Sequence, residues 1–517
     1  MRKHYQTQIL ELLKTIGQAQ TNEMYSECQE GALSICDFIE DIVDDQTQTS
    51  RLLIEYCELL FKVHNGEADK KMLHKQLIKI ENSVKSELEP TRIEIAFISY
   101  KASMSDSLES IYLAAKADPS CDAYWIPIPY YERKTDGSFG EEKYEALGFY
   151  DDKFELADWK EYDIQTRRPD AIFTFSPYDA SNYVTSVHPD FYCERLHGFT
   201  DMLVYVPYVV RRDLAPHKTP PLTDELIKKM SDQSKNFYVN AGSVFAHKVI
   251  AQSERVRQIY ARIFELGGAG RGVKEKFVAL GNPKFDKAIN SKREDFDMPD
   301  KWRDIIGSKK VIFYNSSIGT TLKDNEKYLK KLMHIFDAFS GRDDAVLWWR
   351  PHPLLEATYQ SMRPQLAEIF NKLISAYKSE GWGIYDDTPQ LHRALAWADA
   401  YYGDISSVVT LYLSSGKPIM IGDSEILASA EESQKPNPGN SLFEPSDMET
   451  ERGCYYKENE NIHLRHLIDY IAMDDNANNE NTRRIQRQEI FKKIYAKATG
   501  ASGQAIFDYV KNSIKAQ

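Results

Sequence analysis

From Arg92 onward the sequence keeps returning to one pattern: a short β-branched and aromatic run, a polar turn, then apolar residues at helical spacing. RIEIAFISY (92–100) leads into KASMSDSLESIYLAA, where Ser105 or Asp106 can cap a helix. AYWIPIPYY (123–131), PDAIFTFSPY (169–178), DMLVYVPYVV (201–210) and KNFYVNAG (235–242) read as further strands, with helices between them, notably HKVIAQSERVRQIYARIFELG (247–267). FVALGNPKFDKAI (277–289) reads as a strand broken at Gly281-Asn282-Pro283, with Asp286 opening a helix. Strands separated by helices lie parallel, because each needs a crossover to regain its direction. Covered on both faces, they read as continuous apolar runs.

A polar stretch, NSKREDFDMPDKW (290–302), separates this unit from a second one built the same way. KKVIFYNSSIGTTL (309–322) supplies a strand and turn, followed by a helix from Asp324 to Ser340. DDAVLWWRPHPL (343–354) is a strand ending at a cation, an imidazole and two prolines, and a helix is expected near Leu355 to Ser379. GWGIYDD, the helix TPQLHRALAWA, the strand DAYYGD, the helix SSVVTLYLSSG and the strand KPIMIGD complete the unit. The expected class is α/β, a pair of Rossmann-like parallel-sheet domains carrying an N-terminal helical bundle. Residues 1–88 form that bundle of about four helices, a docking or oligomerisation module or a cover for the next domain's edge. Residues 91–295 form the first sheet domain and 296–460 the second, with 430–460 polar and loop-rich. Helices over 461–517 close the chain, with a path back to the first domain.

Composition removes several functions. A net charge of −13 on 517 residues argues against a generalised grip on nucleic acid or on an anionic membrane. The six cysteines have no C-x-x-C spacing and none has the close His or Cys neighbours of a zinc site, so reduced thiols in a cytoplasmic protein are expected. No metal and no cofactor are expected. The N-terminus turns polar too soon for a secretory leader, and no apolar run approaches the ~20 residues of a membrane span. Contact with a membrane is then at most peripheral, at its inner face. G-x-x-x-x-G-K-[ST], H-E-x-x-H, G-x-S-x-G and G-x-G-x-x-G are all missing.

Chemistry collects at the turns. Gly281-Asn282-Pro283-Lys284, Asn315-Ser316-Ser317, Arg350-Pro351-His352 and Gly403-Asp404-Ile405-Ser406-Ser407 all follow expected strands, and carboxyl ends of parallel strands share one edge. Ser406 and Ser407 open a helix, where hydroxyls and free N–H groups suit a phosphate or simply cap the helix. Asp404 is placed to orient His352 or a substrate hydroxyl.

GNPKFD, VIFYNSS, RPHP and ADAYYGDISSVVTLYLSSGKPIMI occur in the order and approximate spacing of the CDP-glycerol glycerophosphotransferase family, the enzymes of teichoic acid polymer synthesis. The chain resembles that family over roughly residues 275–425. The resemblance implies a GT-B transferase, with the nucleotide held by the second sheet domain and no obligatory metal. It implies catalytic roles for His352 and Asp404 and substrate contacts for Lys284, Asn315, Ser316, Arg350, Ser406 and Ser407. It also implies a CDP-linked polyol phosphate donor such as CDP-glycerol, and a polymer or lipid-linked acceptor at the cell wall or surface.

The departures are specific. Lys284 replaces Arg, Asn315-Ser316-Ser317 replaces a Thr-Trp turn, and Gly403 and Ile405 replace Ser and Tyr. The family's W-H-G-T-P segment has no counterpart; LVYVPYVVRRDLAPH (203–217) stands near its place. Acceptor activation is thus unassigned among His188, His197, His217 and His247. Transfer of a sugar from a UDP- or CMP-sugar to a capsule or wall glycan is the alternative reaction. A non-catalytic nucleotide or glycan-binding protein is the alternative class. In either class the N-terminal helices offer a route to a homo-oligomer.

Overall fold

A computed structural model describes residues 1–516 apart from 44–46, 135, 183–184, 212–221, 231–234, 270–272, 318–324, 353–354, 357–358, 360–363, 423–455, 458–462 and 473–476. Four helices, α1 (Lys3–Thr21), α2 (Tyr25–Ile42), α3 (Gln48–His64) and α4 (Lys70–Glu87), form the N-terminal bundle. Their apolar faces close on one core that includes Ile9, Leu13, Ile35, Ile39, Leu53, Leu77 and Ile80. Side chains cap the second pair of helices: Thr47 accepts the Ser50 N–H and Asp69 the Lys71 N–H.

The first sheet runs β2-β1-β5-β7-β8-β9 and is parallel throughout. Its strands are β1 (Ile93–Ser99), β2 (Cys121–Pro127), β5 (Ala171–Thr174), β7 (Leu203–Tyr205), β8 (Lys248–Ala251) and β9 (Phe277–Ala279). A small antiparallel sheet, β4-β3-β6, is made from β3 (Tyr130–Arg133), β4 (Phe139–Lys143) and β6 (Thr185–Val187). The second parallel sheet runs β12-β11-β10-β13-β14-β15. It comprises β10 (Lys310–Asn315), β11 (Ala345–Arg350), β12 (Ile384–Tyr385), β13 (Ala400–Gly403), β14 (Ile419–Ile421) and β15 (Tyr456–Lys457). Alternate residues of β11 go to opposite faces: Val346 and Trp348 enter one core, Leu347 and Trp349 the other. Two such sheets are the pair that the alternation implied, and they fit the GT-B-like fold that the resemblance implied.

The chain's C-terminal helices join the two halves. In Ala477–Ile494, Ile490, Phe491 and Ile494 pack into the second domain's core. In Ser502–Ala516, Ile506, Phe507, Val510 and Ile514 pack on the first sheet. Asp286, in the helix Pro283–Asn290, accepts the N–H groups of Ser502 (2.9 Å) and Gly503 (2.7 Å) and the Ser110 hydroxyl (2.8 Å). Gly503 is required there, since a Cβ would stand 2.4 Å from the Ser110 backbone.

Several elements depart from the sequence reading. KNFYVNAG is not a strand, because Asn240 and Ser243 form a reciprocal capping box that starts a short helix at Ala241. The strand is Lys248–Ala251, which the apolar spacing had absorbed into the following helix; Ser253 caps that helix, Glu254–Leu266. AYWIPIPYY splits between Pro127 and Pro129 into β2 and β3, which pair in different sheets. The helix expected from Leu355 is described over Pro364–Glu380. Within the expected loop over 430–460, Tyr456–Lys457 is an edge strand and the rest lies outside the described residues. No described helix is long and apolar enough to cross a membrane.

Candidate functional site

Parallel register builds the site's floor. Asn315 pairs with Arg350 on one side and Gly403 on the other, so three of the four turns singled out in the sequence end side by side. Asn315 Nδ2 donates to the Arg350 carbonyl at 3.0 Å. Gly403, at φ +153, lies so close that a Cβ would stand 2.1 Å from the Asn315 carbonyl oxygen. A Ser at this position, the residue of the resembling family, would not fit this edge.

The fourth turn is elsewhere. Lys284 follows β9 of the first sheet, and its Nζ lies 2.6 Å from Asp106 Oδ1. Asp106 Oδ2 is 2.8 Å from His392 Nε2, at the start of the second domain's helix Leu391–Trp397. Burial alone would raise the Asp106 carboxyl, but Lys284 and His392 outweigh it and hold the group well below the usual carboxylate range. The expected common edge for all four turns is therefore corrected. Lys284 belongs to a buried link between the domains, and sequence reading had assigned Asp106 only a helix cap and His392 nothing.

Three residues expected to touch substrate or catalyse instead brace the edge. Asp404 Oδ2 accepts the Ser317 N–H at 2.8 Å, and its Oδ1 pairs with buried Lys331 at 3.3 Å. Its carboxylate thus ties β13 to the turn after β10 and to the following helix, rather than orienting His352. Ser316 is buried with its hydroxyl 2.9 Å from the Tyr328 hydroxyl, and Asn315 is buried between strands. Ser406 Oγ accepts the Val408 N–H at 3.2 Å, the capping role, and Ser407 is exposed at the start of a helix of only 6 residues.

What remains open lies beside β11 and β12. A cavity of about 150 Å³ is lined by Arg350, His352, Tyr385, Asp386 and Thr388 among others. Asp386, fully buried, accepts the Trp348 Nε1–H (3.0 Å), the Thr388 N–H (3.0 Å) and the Thr388 hydroxyl (2.6 Å). Arg350 Nη1 lies 3.0 Å from Asp386 Oδ2 without hydrogen-bond alignment, and Arg393 Nη2 is 3.8 Å from Oδ1. Arg350 is the one arginine in this wall; Asp386, Asp387 and Glu356 line it too, with Arg393 behind Asp386 and Lys378 paired with Asp387, so its charges are mixed. Burial lowers the His352 pKa. Asp386 follows a strand as Arg350 does, so the strand-end rule had the signal to find it.

Three of the four candidate histidines are described. His188 follows β6, where Nδ1 accepts the Asp190 N–H at 3.3 Å. His197 and His247 stack at 4.2 Å, and His247 Nδ1 accepts the N–H of Leu203, the first residue of β7, at the amino edge of the first sheet. His217 lies outside the described residues. Burial first, with help from His197 and Lys276, lowers the His247 pKa from 6.5 to about 4. The unfolded chain then binds the extra proton below pH 6.5, so stability is full above that value and falls as pH drops toward 4. Thermal unfolding from pH 7.5 to 4.5 should show a shallower decline in His247→Gln than in the natural chain; parallel declines would refute the assignment.

No family model and no curated protein matches the chain. Among solved structures it is similar to the wall teichoic acid polymerase TagF, at 12% identity over 92% of this chain and 99% of the polymerase, with a TM-score of 0.46. It is also similar to a UDP complex of MnaA from S. aureus, at 12% identity over 82% of this chain and 97% of that one, TM-score 0.43. A UDP-N-acetylglucosamine 2-epimerase gives 12% identity, 83% and 97% coverage and a TM-score of 0.41.

Proposed function

We propose that the protein is a transferase that moves glycerol phosphate, or a related polyol phosphate, from a CDP-linked donor to a polymer acceptor of the cell wall or surface. The observation that carries this reading is the cavity at the carboxyl ends of β11 and β12, with Arg350 and His352 at its wall and Asp386 beside Arg350. That is where open α/β sheets hold nucleotides. Phosphoryl transfer asks for positioning and charge stabilisation more than for a covalent intermediate. In this reading the donor pyrophosphate meets Arg350 and His352, and His352 donates a hydrogen bond to the departing phosphate. Asp386 keeps Arg350 in place. Lys284 and Asp404 act at one remove, through the domain link and the sheet edge.

Sugar transfer from a UDP- or CMP-sugar is the second reading. Incubation with CDP-glycerol, CDP-ribitol, UDP-N-acetylglucosamine and CMP-N-acetylneuraminate separates the two. Release of CMP and thermal stabilisation with the CDP-polyols alone are expected; release from a nucleotide sugar alone would favour the second reading. Stabilisation without release from any donor would leave a binding protein.

A further inference from the structure

Two neighbouring residues in the first turn of the helix Leu391–Trp397 reach different parts of the molecule. Arg393 backs the donor cavity. Its Nη2 donates to the hydroxyl of Thr388, a residue of the cavity wall, at 2.8 Å. Its Nη1 donates to the Asp297 carbonyl at 3.2 Å, and its guanidinium lies 4.7 Å from the centre of the Trp302 ring. Trp302 packs edge-on against Trp348 of β11, so Arg393 is tied to the strand that ends at Arg350. His392 turns instead to the first domain. Its ring is buried, and Nε2 donates to Asp106 in the short helix Ala102–Ser107 that follows β1.

The other oxygen of Asp106 accepts from Lys284, in the first turn of the helix Pro283–Asn290 that follows β9. One buried carboxylate thus gathers the ends of two strands of the first sheet, and His392 is the second domain's hold on it. The residue after Lys284, Phe285, lies in the second domain's core against Phe491 and Tyr495. Apolar packing of that kind is non-directional and admits small sliding shifts. Hydrogen bonds to a carboxylate set a distance and an angle, and buried ones are costly to leave unmade. From the cavity wall to the first domain the contacts are continuous: Arg350 to Asp386 (3.0 Å), the Thr388 hydroxyl to Asp386 (2.6 Å), Arg393 to that hydroxyl (2.8 Å), and the adjoining His392 to Asp106 (2.8 Å).

We propose that His392 is a positioning residue: bonded to Asp106, it fixes the first domain, and with it the acceptor hydroxyl, at the distance from the donor cavity that transfer requires. The inference rests on the transferase reading, in which the second domain holds the donor and the first is left to present the acceptor. His392 touches neither substrate. Reacting atoms must stand about 3–3.5 Å apart, and a misplacement of about 1 Å can cost ~10²-fold in rate. A donor held at Arg350 and His352 binds as before when the first domain shifts, so the loss falls on turnover and spares donor affinity.

His392→Ala removes the hold, whereas His392→Gln keeps an N–H donor near the place of Nε2. With CDP-glycerol as donor and a glycerol phosphate oligomer as acceptor, H392A should lose roughly 10–100-fold in turnover at saturating donor. Its affinity for CDP-glycerol, by calorimetry, should stay within threefold of the natural chain, and H392Q should recover most of the lost turnover. Asp106→Asn keeps the size of the side chain and removes its charge, and it should lower turnover in the same way. The double variant H392A/D106N should fall no further than the worse single one, because both changes break one link. A merely structural His392 would lower the unfolding temperature of H392A and leave turnover well below that temperature unaltered. If H392A or D106N stays within threefold of natural turnover, if H392Q is no better than H392A, or if the two losses add, the positioning role is overturned while the transferase reading stands. If the natural enzyme turns over none of the four donors named above, both fall together.

Discussion

His352→Ala is expected to lower turnover by roughly 10²–10⁴-fold, the range of a lost acid–base or charge-stabilising group, while donor affinity changes far less. The asymmetry follows from where charge develops. On the proposed reading the donor pyrophosphate already carries its charge in the ground state, where Arg350 would hold it. In the transition state further negative charge gathers on the oxygen that joins the departing CMP, and only a donor aimed there gains strength. Burial lowers the His352 pKa and so favours the neutral imidazole in the free protein. A bound pyrophosphate favours the charged form, and donor binding should therefore take up a proton. Calorimetry of CDP-glycerol binding in two buffers of different ionisation enthalpy would detect that uptake, and H352A should abolish it. Turnover unchanged in a folded H352A variant would sink the assignment.

Arg2→Ala is expected to destabilise the protein by about 3–5 kcal/mol, the usual cost of removing one partner from a buried ion pair. Arg2 lies against Glu94 at 3.1 Å and donates to the carbonyls of Arg167 (2.9 Å) and Arg168 (2.6 Å). Glu94 also receives Arg167 through two hydrogen bonds, at 2.9 and 2.8 Å, and the Tyr162 hydroxyl at 2.6 Å. Both Arg2 and Glu94 are buried, so the loss leaves polar groups unpaired rather than hydrated. This network pins the N-terminal bundle to the amino end of β1, away from the carboxyl edge that carries the candidate site. Denaturant unfolding should report the loss, while turnover below the unfolding transition stays near that of the natural chain. A loss under 1 kcal/mol would mean that the bundle is held by other contacts.

Much of the architecture was legible because parallel strands buried on both faces leave a continuous apolar signature. VIFYN and AVLWW announced β10 and β11, and their abrupt polar ends located Asn315, Arg350 and His352. The misreadings have local causes. At 235–242 a capping box outweighed strand propensity, and at 248–251 a short strand ran into a helix with no glycine or proline between them. The site was legible only in outline. The strand-end rule brings polar residues to an edge but does not say whether each faces a cavity or a neighbouring strand. Asn315, Ser316 and Asp404 turned out to face partners within the protein.

By itself, then, the sequence determined that two alternating units would stack parallel strands and present their turns along carboxyl edges, because hydrophobic period and strand length are local properties. Only the tertiary structure decided which turns meet. Lys284 and Asp106 are 178 residues apart, and Asp106 and His392 are 286 apart; no periodicity in the chain encodes such pairs. The same holds for Arg2 and Glu94, 92 residues apart. Contacts of this kind depend on how finished elements pack, and packing is set by all the surfaces at once.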